Sequence, residues 1–85
     1  MVARFGGEEF IILSVDNLKE NSIAFAERIR KSIENLHIIQ NYKITISIGV
    51  TLYKKDKNMN ELVKEADIAL YKAKQNGRNQ VLMNE

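Results

Sequence analysis

The sequence contains no cysteine, and this absence removes several kinds of chemistry at once. Disulfide bonds, thiolate metal sites and cysteine nucleophiles are all excluded. The single histidine, His37, has no nearby set of metal ligands. A chain without cysteine fits a reducing compartment, so we expect a cytoplasmic location, with any membrane anchor lying elsewhere in a parent protein.

Long apolar runs and blocks of one charge are also missing. The run from Phe10 to Leu13 is far shorter than the ~20 residues of a membrane span, and the first residues lack the pattern of a signal peptide. The 13 basic residues are interspersed with 11 acidic ones, so the net charge of +2 forms no basic stripe. We therefore expect no membrane contact from this segment and no nucleic-acid partner.

The composition that remains is that of a small globular domain. Hydrophobic residues make up 45% and charged residues 28% of the 85 positions, a balance typical of folded proteins. A chain of this length buries a modest core, so its stability is expected to be marginal.

Apolar periodicity predicts the element order β-β-α-β-α-β. Residues 10–13 are all apolar, which indicates a central strand covered on both faces, whereas residues 44–52 alternate strictly between apolar and small or polar side chains. The predicted strands cover residues 2–5, 10–15, 44–52 and 81–83, and two amphipathic helices lie between the last three of them.

Capping signals mark the ends of both helices. Asn17 is followed three residues later by Glu20, and Asn58 is followed at the same spacing by Glu61, which is the pattern of a capping box. Gly77 follows the second helix, where glycine commonly adopts the left-handed conformation that ends a helix.

The most informative stretch is Gly6, Gly7, Glu8 and Glu9, at the turn of a predicted hairpin. Glycines let a phosphate or a flat base approach the backbone, and adjacent carboxylates supply the hard oxygen ligands that Mg²⁺ prefers. A metal-bound nucleotide site is one interpretation. An ordinary hairpin with a solvated acidic end is the other, and the spacing alone leaves both open.

Three segments together resemble the GGDEF domain of diguanylate cyclases. RFGGEEF at residues 4–10 is similar to the hairpin signature of that family, and SIGV at 47–50 is similar to a second motif. The third and longest match is ADIALYKAKQNGRN at 66–79. The motifs occur in the order of the family and span nearly the whole chain, so coincidence is a poor explanation.

The resemblance implies roles for individual residues. Glu8 matches a ligand of Mg²⁺ (or Mn²⁺) that helps deprotonate the attacking 3′-hydroxyl, and Glu9 matches the adjacent essential acid. Gly6 and Gly7 match the turn over which GTP lies. Lys74 and Arg78 match the residues that contact the GTP phosphates. A simpler alternative for these last two is that they balance the negative end of the second helix.

The resemblance also implies the fold, namely an α+β, palm-like domain related to adenylyl cyclases and to ferredoxin-like proteins, with the helices packed on one face of the sheet. The chain would be the C-terminal portion of a single GGDEF domain over residues 1–85, without the half that supplies a central strand, a metal-binding Asp and the guanine-recognition residues. Two such domains, each with one GTP, make cyclic di-GMP in that family.

Three functional hypotheses follow. The chain is a piece of an active diguanylate cyclase, inactive when isolated; or it comes from a degenerate domain that senses nucleotides or dimerises; or, least favoured, it binds nucleic acid. In the implied fold a missing strand lies between residues 10–15 and 44–51, which leaves two free edges. We expect these strands either to pair directly or to join two chains, and we favour the second outcome.

Overall fold

The computed structural model describes residues 2–15, 18–36 and 44–84. The observed order is β-β-α-β-α-β, which confirms the predicted order. The strands are β1 (Val2–Gly6), β2 (Glu9–Ser14), β3 (Ser47–Leu52) and β4 (Val81–Met83), and the helices are α1 (Lys19–Glu34) and α2 (Met59–Gln75).

The four strands form one sheet in the order β1-β2-β3-β4. β1 and β2 form the predicted antiparallel hairpin, while β3 is parallel to both β2 and β4. β2 and β3 pair directly, with Ile11 opposite Gly49, so the gap expected between them is closed within one chain. Both edges of β2 and of β3 are paired within the chain. The favoured expectation is that these two strands join two chains, which requires a free edge on each strand, and neither has one.

The two helices cover opposite faces of the sheet, and the expectation that they share one face is wrong. Since side chains alternate along a strand, neighbouring residues of β2 enter different cores. Ile11 and Leu13 pack with three residues of α2: Leu62, Ala66 and Leu70. Ile12 packs on the other side with β3 and α1, in a core completed by Ala26, Ile29, Ile33, Ile46, Ile48 and Val50.

β3 is buried on both faces, although its alternating pattern suggested one small or polar face. Ser47, Gly49 and Thr51 are as inaccessible as Ile48 and Val50. α2 lies so close to Gly49 that an added Cβ would stand 2.1 Å from the Ala66 carbonyl oxygen and 2.5 Å from the Leu70 nitrogen. The small residues of β3 therefore allow α2 to pack in direct contact with the backbone of the strand.

The ends of α2 follow the prediction. The Asn58 side chain accepts from the Glu61 amide at 2.9 Å, and the Glu61 carboxylate accepts from the Asn58 amide at 3.3 Å. Gly77 ends the helix with φ +111°. None of the helices in the described residues has the length and apolarity needed to cross a membrane.

The bounds of β1 and β2 differ by one residue from their predictions, and α1 and β3 also begin at other residues than predicted. α1 begins after Leu18, which makes no side-chain cap, and both Asn17 and His37 lie outside the described residues. β3 begins at Ser47 and not at residue 44, because the ladder with β2 starts where Ser47 faces Glu9.

Candidate functional site

The hairpin turn, the start of β3 and the loop after α2 meet at one end of the sheet. The Ser47 amide donates to the Glu8 carbonyl at 3.0 Å, which ties the turn to β3. The Ile48 amide donates to the Gln80 carbonyl at 3.0 Å, which ties β3 to the segment entering β4. The amino ends of three parallel strands and the carboxyl end of α2 thus surround the same surface.

The two glutamates sit side by side at this end. Glu8 is exposed in the turn, and Glu9 is the first residue of β2 and is partly buried. Gly6 ends β1 opposite Glu9, and Gly7 is exposed in the turn between them. The four predicted hairpin residues therefore form one short surface of backbone and carboxylate.

Lys74 brings the last turn of α2 to this surface. Its Nζ lies 2.5 Å from Oε1 of Glu9, and both side chains are 29% exposed, so the ion pair remains open to solvent. The contact joins residues that are 65 positions apart and that belong to two different motifs of the sequence. Balancing the helix end is thus not the whole role of Lys74.

Arg78 lies in the loop immediately after α2, with an exposed side chain and φ +64°. Its amide donates to the Ala73 carbonyl at 2.9 Å, which holds the loop against the end of the helix. A non-glycine residue rarely adopts this left-handed conformation, since it costs about 1 kcal/mol or more. The backbone places Arg78 at the same end of the sheet as the hairpin.

The electrostatics of this end require basic residues if a phosphate is to bind. A helix carries partial negative charge at its carboxyl end, and that is the end α2 presents here. Lys72 and Lys74 lie in its last turn, and Arg78 follows four residues after Lys74. These three cations offset the partial negative charge of the helix end and suit an anionic ligand.

Glu8 and Glu9 also fit a divalent cation, within limits. Mg²⁺ commonly takes one or two protein carboxylates and completes its octahedral shell with water and phosphate oxygens. Glu8 presents an exposed carboxylate for this purpose, whereas Glu9 shares its carboxylate with Lys74. Across the described residues, no three histidine, cysteine, aspartate or glutamate side chains cluster closely enough to hold a metal by themselves.

A second polar cluster, which the sequence analysis did not single out, lies behind the loop. Arg30 of α1 donates from Nε and Nη2 to the two carboxylate oxygens of Glu27, at 2.9 and 3.0 Å. Its Nη1 donates to Oδ1 of Asn79 at 2.9 Å, and Nδ2 of Asn79 donates to Glu34 at 2.6 Å. The hydrogen bond from Arg30 lowers the pKa of Glu27, and the same contact raises the pKa of Arg30.

This cluster connects with the hairpin through Ser47. The Asn79 amide donates to the Ser47 hydroxyl at 3.1 Å, while the Ser47 amide donates to Glu8. Asn79 belongs to the longest motif, but nothing in its spacing indicated a partner on α1. The signal available in the sequence was the placement of Glu27, Arg30 and Glu34 at helical spacings of three and four.

A cavity of about 560 Å³ lies elsewhere, at the far end of β2. It is lined by Ser14, the last residue of that strand, and by residues of α1 that include Ser22 and Arg28. None of the described residues that line it belongs to the hairpin turn or to the end of α2.

Comparison with known proteins agrees with the motifs. The family described as "Diguanylate cyclase, GGDEF domain" matches residues 1–80. Diguanylate cyclase A of Treponema denticola is 46% identical over 98% of the chain and 24% of its own length. Diguanylate cyclase DgcM of Escherichia coli K12 is 40% identical, and the probable diguanylate cyclase DgcT of the same strain is 42% identical.

The chain covers only part of these relatives. The two Escherichia coli proteins match 96% and 100% of the chain, yet the match is 20% of the length of each. The alignments and the family match all include the segment from the hairpin to the loop after α2. The chain belongs to the GGDEF-domain family of diguanylate cyclases.

Proposed function

We propose that this chain is the C-terminal portion of a GGDEF domain that condenses two GTP molecules into cyclic di-GMP and pyrophosphate. The observation that carries the proposal is the contact between Lys74 and Glu9, which joins the carboxylate hairpin to the basic end of α2. A site for a metal-bound triphosphate needs both features within a few ångströms. We call the whole domain, including the half that would precede these residues, the complete domain.

Glu8 and Glu9 hold the divalent cation in this proposal, and Lys74 and Arg78 hold the phosphates. Lys74 provides a point charge on a flexible stem, whereas Arg78 provides a planar fork that can pair with two phosphate oxygens. Because Lys74 pairs with Glu9, a phosphate bound beside the turn would compete with the Glu9 carboxylate for the same ammonium group. Gly6 and Gly7 leave room above the turn for the nucleotide.

The reaction is a nucleotidyl transfer. The 3′-hydroxyl of one GTP attacks the α-phosphorus of the other, a new P–O bond forms, and pyrophosphate leaves; a second transfer closes the ring. Bound Mg²⁺ or Mn²⁺ would neutralise phosphate charge and favour loss of the hydroxyl proton. The residues of this chain fix one GTP, and a second GGDEF domain presents the other, so positioning and electrostatics supply the acceleration.

The test replaces each carboxylate in the complete domain. Glu8→Gln and Glu9→Gln remove a charged oxygen ligand from a partly exposed turn, so we expect cyclic di-GMP synthesis to fall by at least about 100-fold while the fold survives. Glu20→Gln is the matched control, because Glu20 is an exposed glutamate in the first turn of α1. Product is measured by liquid chromatography, and folding by circular dichroism.

Two outcomes would contradict the proposal. Unchanged turnover in either hairpin variant would show that the hairpin is a structural turn. A complete domain that binds GTP and makes no product would favour the degenerate, nucleotide-sensing alternative. The 85-residue chain alone is expected to make no detectable product, and synthesis in proportion to its concentration would overturn that expectation.

A further inference from the structure

The loop after α2 holds three consecutive residues in the left-handed region. The φ angles are +111° at Gly77, +64° at Arg78 and +49° at Asn79. Glycine adopts such angles freely and asparagine tolerates them, but arginine has no such tolerance. A residue kept at an unfavourable backbone angle needs surrounding structure that enforces it, and such residues gather at functional sites.

The contacts of Asn79 hold the loop in this conformation. Its backbone amide, its carbonyl Oδ1 and its Nδ2 are each engaged, by Ser47, Arg30 and Glu34 respectively. Oδ1 accepts from a cation and Nδ2 donates to an anion, so the side chain is bound in one orientation by two charge-assisted hydrogen bonds. None of these three partners lies on α2, so Asn79 anchors the loop to α1 and β3.

The anchor is itself rigid. Glu27 grips the Arg30 guanidinium group with both carboxylate oxygens, and the Arg30 side chain is only 13% exposed. Glu34 lies one helical turn further along α1, with an oxygen 3.6 Å from Nη1 of Arg30. The Glu27 side chain is 34% exposed, so solvent weakens the pair, but its two hydrogen bonds fix the plane of the guanidinium group and with it the direction of Nη1.

We propose that Arg30, Glu34 and Asn79 form a positioning network that sets the placement of Arg78 relative to the Glu8 carboxylate for binding of a nucleoside triphosphate. The chain of contacts runs from Arg78 to its neighbour Asn79, then through Ser47 to Glu8. The inference rests on the proposed function, because it assigns Arg78 to the phosphates. None of the three network residues touches the nucleotide in this scheme.

The test is a double-mutant cycle in the complete domain, with the affinity for α,β-methylene GTP measured by calorimetry in Mg²⁺. This analogue cannot undergo transfer, so binding is separated from turnover. Arg78→Ala is expected to weaken binding about tenfold or more, the loss typical of a charge-assisted contact. Asn79→Ala is expected to weaken it about fivefold in the wild-type background and less than about twofold when Arg78 is already alanine.

Two more variants separate positioning from folding. Asn79→Gly removes the side-chain contacts but keeps the left-handed backbone without strain, so it should lower the melting temperature less than Asn79→Ala does and weaken binding at least as much. Asn60→Ala is the matched control, since Asn60 is exposed in the first turn of α2. It should change neither measurement.

The outcomes are distinguishable. If Arg78→Ala weakens binding and Asn79→Gly does not, the positioning network is wrong and the proposed function stands. If Asn79→Ala weakens binding equally in the wild-type and Arg78→Ala backgrounds, Asn79 has a purely structural role, and the positioning network is also wrong. If Arg78→Ala leaves the affinity unchanged, the phosphate role of Arg78 fails, and the network falls with it.

Discussion

Replacement of Gly49 by alanine is expected to be among the most damaging single-methyl changes in this protein. The added Cβ would lie 2.1 Å from the Ala66 oxygen, 2.5 Å from the Leu70 nitrogen and 2.9 Å from the Leu70 Cβ. Ordinary van der Waals contacts of a carbon atom begin near 3.5 Å, so the overlap exceeds 1 Å. Two of the three atoms belong to the backbone of α2 and cannot rotate away.

Relief therefore requires that α2 move off the sheet, which would loosen the core where Leu62 and Leu70 pack on Ile11. Overpacked cores lose about 1–3 kcal/mol, and a clash with backbone belongs at the upper end of that range. Alanine also lowers the conformational entropy of the unfolded chain, which stabilises the folded state by about 0.4–1 kcal/mol. The net loss should be about 2 kcal/mol, a large part of the total for a domain of this size.

Urea unfolding followed by circular dichroism measures this loss. With a slope of about 1 kcal/mol per molar urea, the midpoint should fall by about 2 M in Gly49→Ala, and further in Gly49→Val. Gly77 offers the matched series, because nothing lies within 4 Å of its Cβ position while its φ is +111°. There the cost should come from the strained backbone that any Cβ introduces, and not from packing against α2. A midpoint for Gly49→Ala within about 0.5 M of the wild type would refute the packing argument.

Two further predictions concern α2 and its contacts. Asn58→Ala should cost about 1 kcal/mol by breaking the capping box, whereas Asn60→Ala in the same turn should cost little; thermal unfolding of the two variants decides this. Glu65 accepts from Lys57 and from Thr51, and mainly the hydrogen bond from Lys57 lowers its pKa. A lowered pKa stabilises the folded state above the ordinary carboxyl pKa, and this contribution is lost as the pH falls through the lowered value. Glu65→Gln should therefore be less stable than the wild type at pH 7 and nearly equal to it at about pH 2; a difference that persists in acid would contradict this account.

Local signals in the sequence predicted most elements of the fold. Asn58 with Glu61 marked the start of α2 and Gly77 marked its end, because capping chemistry acts over a few residues and is visible in a short window. The start of β3 was missed, since the apolar alternation continues upstream of Ser47 while the ladder with β2 does not. Strand boundaries depend on a partner that sequence spacing alone does not identify.

The residues of the candidate site were identified from the sequence in the same uneven way. The motifs named Glu8, Glu9, Lys74 and Arg78 because their spacing matched a known pattern, and the structure places them at one end of the sheet. The support of Asn79 by α1 was not predicted. Its hydrogen bonds to Arg30 and Glu34 span 49 and 45 positions, and only the packing of α1 and β4 in one molecule brings these residues together.

The placement of the two helices follows from the sizes of the side chains on β3 and not from the usual hand of the connections. Both crossovers, from β2 to β3 and from β3 to β4, step the same way across the sheet. Right-handed crossovers are nearly universal and would put both helices on one face, so helices on opposite faces require one left-handed connection. On one face of β3, the branched side chains of Ile48 and Val50 pack against α1. On the other face, small residues around Gly49 pack against α2. α2 turns alanines toward that second face and approaches to backbone contact, which the branched face would prevent.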